Sequence, residues 1–131
     1  MKRFTITFFS RLALFVVYFW FGLLKVLGES PANPLVSGLL ERTLPFLTFD
    51  QFIVAFGFFE MFLGVLFLTG RFRRITVVLF SLHMIAVFLP LFLLPQIVWQ
   101  RSWIPTLEGQ YIIKNIVIIA LYLNVYKKKM F

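Results

Sequence analysis

Four long apolar stretches, residues 10 to 28, 51 to 70, 75 to 95 and 109 to 126, alternate with short segments that hold most of the charge. Each is close to the roughly 20 residues that carry a helix across about 30 Å of hydrocarbon. The pattern predicts four membrane-spanning helices, and the breakers between them agree. "GESPANP" interrupts the chain after Gly28, with Asn33 placed to cap a short helix and Pro34 at its first position. "PLVSGLLERTLPF" reads as an amphipathic interfacial helix that Pro45 ends. Thr48 and Asp50 open the second span, and Gly70 closes it. Pro90 predicts a kink in the third span, because the ring cannot donate to the carbonyl of Ala86, and Pro95 stops that span. Thr106 is placed to cap the fourth, with Glu108 in its first turn. The expected fold is all-α, a single domain over residues 1–131: an up-down-up-down four-helix bundle with a short interfacial helix between spans one and two.

Composition turns these helices into membrane helices. Hydrophobic residues make up 61% of the chain, 19 of them phenylalanine, and mean hydropathy is +0.95, outside the range of soluble domains. The net charge of +8 is spread as inserted helices spread it, which argues against nucleic acid as a partner. Lys2, Arg3 and Arg11 precede or open the first span, Arg71, Arg73 and Arg74 join the second to the third, and Lys127, Lys128 and Lys129 follow the fourth. The other two connections hold Glu29, Glu41, Asp50 and Glu108 against Arg42 and Arg101. The positive-inside bias therefore predicts cytoplasmic termini and two outward loops, with Trp99 and Trp103 in the outer aromatic belt. The basic start resembles a signal peptide but lacks a clear small-residue cleavage site, so a retained first helix is expected. With no cysteine, this chain cannot itself form disulfides or thiolate metal sites.

Inside the spans the ionisable residues reduce to Lys25, Glu60, His83 and Lys114, with Asn115 beside the last. Each is costly in hydrocarbon and is expected to face protein or water. "FGLLK" and "FGFFE" share a frame and end in opposite charges. Helical spacing puts Tyr18, Gly22, Lys25 and Glu29 on one stripe of the first span, and Gly57, Glu60 and Gly64 on one stripe of the second, so small residues would let the two stripes approach closely. Lys25 lies about 5 Å and Glu60 about 14 Å below the outer end at 1.5 Å per residue. Side chains lean toward the N-terminus of their helix, which brings the two charges together. Such a pair either locks two helices in register or floors a polar pocket. Glu108, Tyr111, Asn115 and Tyr122 share one face of the fourth span with Lys114 at its edge, and Lys114 could pair with Glu108 or an acidic loop residue, or snorkel. His83 shares a stripe with Thr76 and Pro90; it could bond a neighbouring helix or relay protons with Glu60. Bis-histidine haem ligation and a metal centre are not expected from one histidine and one nearby carboxylate. No partnered nucleophile or phosphate loop appears, so redox electrons would have to reside on something bound.

"LEGQYIIKN" from Leu107 to Asn115, with "FGLLK" and "FFEMFLG", resembles the DoxX-like family of small four-helix bacterial membrane proteins, over nearly the whole chain. The resemblance implies a bacterial inner-membrane bundle with kinship to quinone-linked DoxD-type subunits. Its motif positions carry over onto Gly22, Lys25, Glu60, Gly64, Glu108, Gln110, Tyr111, Lys114 and Asn115. The expectation is a small subunit binding a quinone or similar headgroup in an outward-facing pocket. Glu60 and His83 would handle protons, Lys25, Tyr111, Lys114 and Asn115 would contact the ligand with Glu108 and Gln110 nearby, and a redox partner or second copy would complete it. The alternative is a non-enzymatic membrane scaffold or assembly factor in which the Lys25 to Glu60 pair is structural.

Overall fold

The computed structural model describes residues 2–31 and 33–130, with side chains over 5–31 and 33–126. The side chains of Lys2, Arg3 and Lys127 to Lys129, on which the flanking-charge argument partly rests, lie outside the described residues. The helices are α1 (Lys2–Val26), α2 (Asn33–Thr43), α3 (Phe49–Thr69), α4 (Arg73–Phe88), the short α5 (Pro90–Leu93) and α6 (Pro95–Val98), then α7 (Leu107–Ile113) and α8 (Asn115–Met130). Four stretches are long and apolar enough to cross a membrane: Thr5–Val26, Phe49–Thr69, Arg73–Leu93 and Leu107–Tyr126. The protein is a multi-pass helical bundle suited to a lipid bilayer.

The most extensive contact is between α1 and α3. A Cβ added to Gly22 would stand 2.5 Å from the Gly57 carbonyl oxygen, and one added to Gly57 would stand 2.6 Å from that of Gly22. Backbone therefore touches backbone, as small residues permit in membrane bundles where apolar side chains gain nothing by leaving lipid. At the far end of this antiparallel pair, Arg11 Nη1 donates to the Phe67 carbonyl at 3.0 Å and to the Tyr126 hydroxyl at 3.3 Å. Between these anchors the core is largely aromatic: Tyr18, Phe67, Phe80, Tyr122 and Tyr126 interlock, with Phe80 and Tyr122 stacked at 4.1 Å.

Local signals set most helix ends. The Thr48 hydroxyl accepts from the Gln51 N–H, and Gly70 closes α3 in the left-handed conformation (φ 71°) that a Cβ disfavours. Thr106 caps α7 by accepting from the Gly109 N–H at 3.1 Å, while its own O–H donates to the Ile97 carbonyl at 2.7 Å. Thr106→Ala removes both bonds, so it should lower stability by about 1–2 kcal/mol in thermal unfolding, while Thr106→Ser keeps them and should not.

In three places the structure departs from expectation. Asn33 begins α2, but its buried Oδ1 has no hydrogen-bond partner and caps nothing. Residues Trp99–Arg101 and Ile104–Pro105 pair as a short antiparallel ribbon, with Trp103 at its tip 83% exposed in a positive-φ conformation. Trp99 is tied down by its indole N–H, which donates to the Leu91 carbonyl at 3.0 Å. The fourth span is jointed at Lys114 rather than continuous. The interruption is confined to Lys114, which stays right-handed and keeps its N–H bond to the Gln110 carbonyl; beside it Asn115 Nδ2 donates to the carbonyls of Tyr111 (3.3 Å) and Ile112 (3.0 Å) and so competes with the helix for its acceptors.

Candidate functional site

α1 brings Lys25 to its last turn, where the helix dipole favours a cation, and α3 brings Glu60 to mid-helix on the face that also carries Gly57 and Gly64. The glycine contact holds the two helices so close that Lys25 Nζ stands 2.6 Å from Glu60 Oε1. This is an ion pair without the angles of an aligned hydrogen bond. The other carboxylate oxygen, Oε2, lies 3.0 Å from His83 Nε2 on α4. His83 Nδ1 in turn lies 3.1 Å from the hydroxyl of Tyr18, back on α1. Lys25, Glu60, His83 and Tyr18 are each 6% exposed or less.

Donor and acceptor chemistry orders this chain. Glu60, held beside the Lys25 ammonium, is a carboxylate and can only accept, so His83 Nε2 carries the proton that points to it. In the neutral imidazole Nδ1 is then the acceptor, and the Tyr18 O–H donates to it; this tautomer follows from the partners. With the imidazole neutral, one ammonium and one carboxylate balance, the condition under which ionisable groups are tolerated in a bilayer. Glu60 thus answers Lys25 with an ion pair at one oxygen and His83 with a hydrogen bond at the other.

Tyr18, Glu60 and His83 line one part of an internal cavity of about 130 Å³. Phe56 forms a wall, its ring centroid 5.4 Å from Lys25 Nζ and 5.6 Å from the His83 ring. Ala86 and Pro90 lie in the same lining, and the ring of Pro90 leaves the Ala86 carbonyl without its helical donor. Lys25, Tyr111, Lys114 and Asn115 complete the polar lining. A second space, of about 310 Å³, lies between α1, α2 and α7 and is walled mainly by Leu24, Pro31, Pro34, Leu35, Ile97 and Leu107. Phe21, Lys25, Leu35 and Tyr111 line both spaces, which therefore adjoin at these side chains.

The residues singled out from sequence fall into three groups. Lys25, Glu60, His83, Tyr111, Lys114 and Asn115 converge on the inner cavity. Glu108 lines the outer space, while Gln110 is exposed and lines neither. Gly22, Gly57 and Gly64 pack α1 on α3, with a Cβ on Gly64 falling 3.1 Å from the Phe19 nitrogen. Lys114 does not pair with Glu108; its Nζ sits 4.1 Å from the centre of the Tyr111 ring, a cation–π contact. Asn115 spends its amide N–H groups on its own helix, so its oxygen is what it has to offer a guest.

Sequence reasoning missed Tyr18 as a member of the site. Helical spacing does put Tyr18 on the stripe of Gly22 and Lys25, but a tyrosine among so many aromatic residues does not announce a partner. Among the described residues no three His, Cys, Asp or Glu side chains gather as metal ligands would. Comparison with protein-family models, with curated proteins and with solved structures found no match to this chain.

Proposed function

We propose that this protein binds a quinone or a similar ring-bearing headgroup within its bundle and supports the redox chemistry of a partner. The observation that carries this reading is the continuous chain of Tyr18, His83, Glu60 and Lys25 along one side of a mainly apolar cavity. Ligand sites are typically apolar pockets with a few convergent polar groups, and the two adjoining spaces have that make-up. Lys25, Tyr111 and Lys114 donate to ring oxygens, the Asn115 oxygen accepts, and the His83–Glu60 pair holds the proton that accompanies reduction or oxidation. The second space, walled mainly by apolar side chains with Glu108 and Ser30 among them, receives the rest of a lipid-soluble molecule. The partner supplies or removes the electrons.

In this reading the four spans run up, down, up and down, with both termini and the Arg71 to Arg74 turn cytoplasmic and the cavity mouth outward. Support comes from the charge distribution and from Arg11 meeting Phe67 and Tyr126 at one end while Phe21 meets Tyr111 toward the other. The DoxX-like motifs support a bacterial inner membrane as its location.

A second reading has its own observation: each member of the polar chain has a partner on another helix of the bundle, as the parts of a purely structural lock between helices would. The two are separated by purifying the chain in mild detergent, extracting it with organic solvent and measuring quinone by mass spectrometry. Stoichiometric quinone in the wild type is expected, with loss from Lys25→Met and from Ala86→Phe, which fills the cavity without touching a charge. No quinone in the wild type, with Lys25→Met merely less stable, would favour the scaffold.

A further inference from the structure

One end of the buried polar chain is the Tyr18 hydroxyl, in the lining of the inner cavity. The neighbouring aromatic rings are Phe67 and Phe80, at 5.4 and 6.4 Å, so phenylalanine would have served packing at this position as well. What the hydroxyl adds is a donor to His83 Nδ1 and an oxygen with lone pairs to spare. The geometry points to Tyr18 as the residue that passes a proton from a bound ring hydroxyl to His83, and so to a guest class: a ring bearing an ionisable, phenol-type hydroxyl. The inference rests on the headgroup-binding reading above and specifies which form of the headgroup the site takes and where its proton comes to rest.

The step balances without an oxidant. The guest O–H bond breaks as its proton joins the Tyr18 oxygen, and the Tyr18 O–H bond breaks as its proton joins His83 Nδ1. The electron pair stays on the guest oxygen, which then accepts from the Tyr18 O–H. The imidazolium donates from Nδ1 to Tyr18 and from Nε2 to the Glu60 carboxylate 3.0 Å away, so the new positive charge arises beside an existing negative one. Glu60 stays ionised throughout and the total charge is unchanged. Lys25 on α1, Lys114 at the joint of the fourth span and Tyr111 on α7 are the other titratable groups that line the cavity, and both lysines favour the guest anion. A ring lacking the hydroxyl has no proton to send along this path.

The probe is 4-nitrophenol, whose phenolate absorbs where the neutral phenol does not. It is titrated with pH in the presence of the full chain in detergent, for the wild type, Tyr18→Phe and His83→Gln. Bound to the wild type, the probe should ionise with a constant raised by about tenfold, one unit of pKa. Both variants, checked for fold by circular dichroism, should bind it with most of that gain lost. An unchanged gain in folded Tyr18→Phe or His83→Gln would overturn the inference, because the lysines alone would then account for it. Failure of the wild type to bind or ionise the probe would overturn it too. Quinone found in the extraction experiment would in that case leave the headgroup site standing, and its absence would remove both.

Discussion

Removing one partner of the Lys25–Glu60 pair is expected to lower stability by about 3–5 kcal/mol, while exchanging the two charges restores much of it. Lys25→Met leaves a carboxylate at 5% exposure with only His83 to answer it, and Glu60→Leu leaves the ammonium buried and unpaired. In the exchanged protein, Lys25→Glu with Glu60→Lys, the charges again face each other across the glycine contact. His83 must then accept at Nε2 from the new lysine and donate from Nδ1 to the Tyr18 oxygen, so every bond is kept and the chain runs in reverse. Thermal unfolding in detergent should show both single variants well below the wild type and the exchange close to it. Ligand retention should not return with the fold, since the cation would no longer stand where the two spaces adjoin. Full recovery of both would make the pair a structural lock and nothing more.

The second large effect lies in the backbone contact that makes the pair possible. Gly57→Ala places a methyl 2.6 Å from the Gly22 oxygen, 2.8 Å from Val26 Cγ2 and 3.0 Å from the Val26 nitrogen. Two of these neighbours are backbone, so α1 and α3 must separate by several tenths of an ångström, which also stretches the ion pair. A loss of about 1–3 kcal/mol is expected, against the small gain that alanine ordinarily gives within a helix. Gly22→Ala should behave alike. Gly109→Ala should be costly too, because its methyl would collide with the Val98 carbonyl. Gly38→Ala is the control: its nearest neighbours are Leu94 and Ile97 methyl groups at 3.3 to 3.6 Å, and it should be within about 0.5 kcal/mol of wild type. Equal effects at Gly57 and Gly38 would show that helix separation is not the cause.

Much of this arrangement could be read from sequence, because it depends on one helix at a time or on one pair. Hydropathy marked the four spans, and Thr48, Gly70 and Thr106 marked helix ends through chemistry confined to a few neighbouring residues. The Lys25–Glu60 contact was legible because glycine stripes and side-chain lean both restrict how α1 and α3 can meet. The Tyr18–His83 bond was not, since it requires the rotations of α1 and α4 about their axes to be set together, and a helical period names a face without naming its partner. The joint at Lys114 was hidden for another reason: Asn115 in an apolar run reads as a ligand-binding side chain, whereas its amide turns back on its own helix. The ribbon at Trp99–Pro105 is too short to show a strand period, and its tryptophans read as an interfacial belt.

The position of the two charges also constrains how the chain can be made. Lys25 sits in the last turn of its helix and can reach the membrane surface while α1 is alone, but Glu60 is near the middle of α3 and has no such escape. Glu60 is therefore tolerated in lipid only once Lys25 is beside it, or while it carries a proton. Only α2 and its flanking turns separate the two helices in the chain, so the pair can close as soon as α3 emerges. Biogenesis on this account inserts the first two spans as one unit, with His83 and Tyr18 joining when α4 arrives.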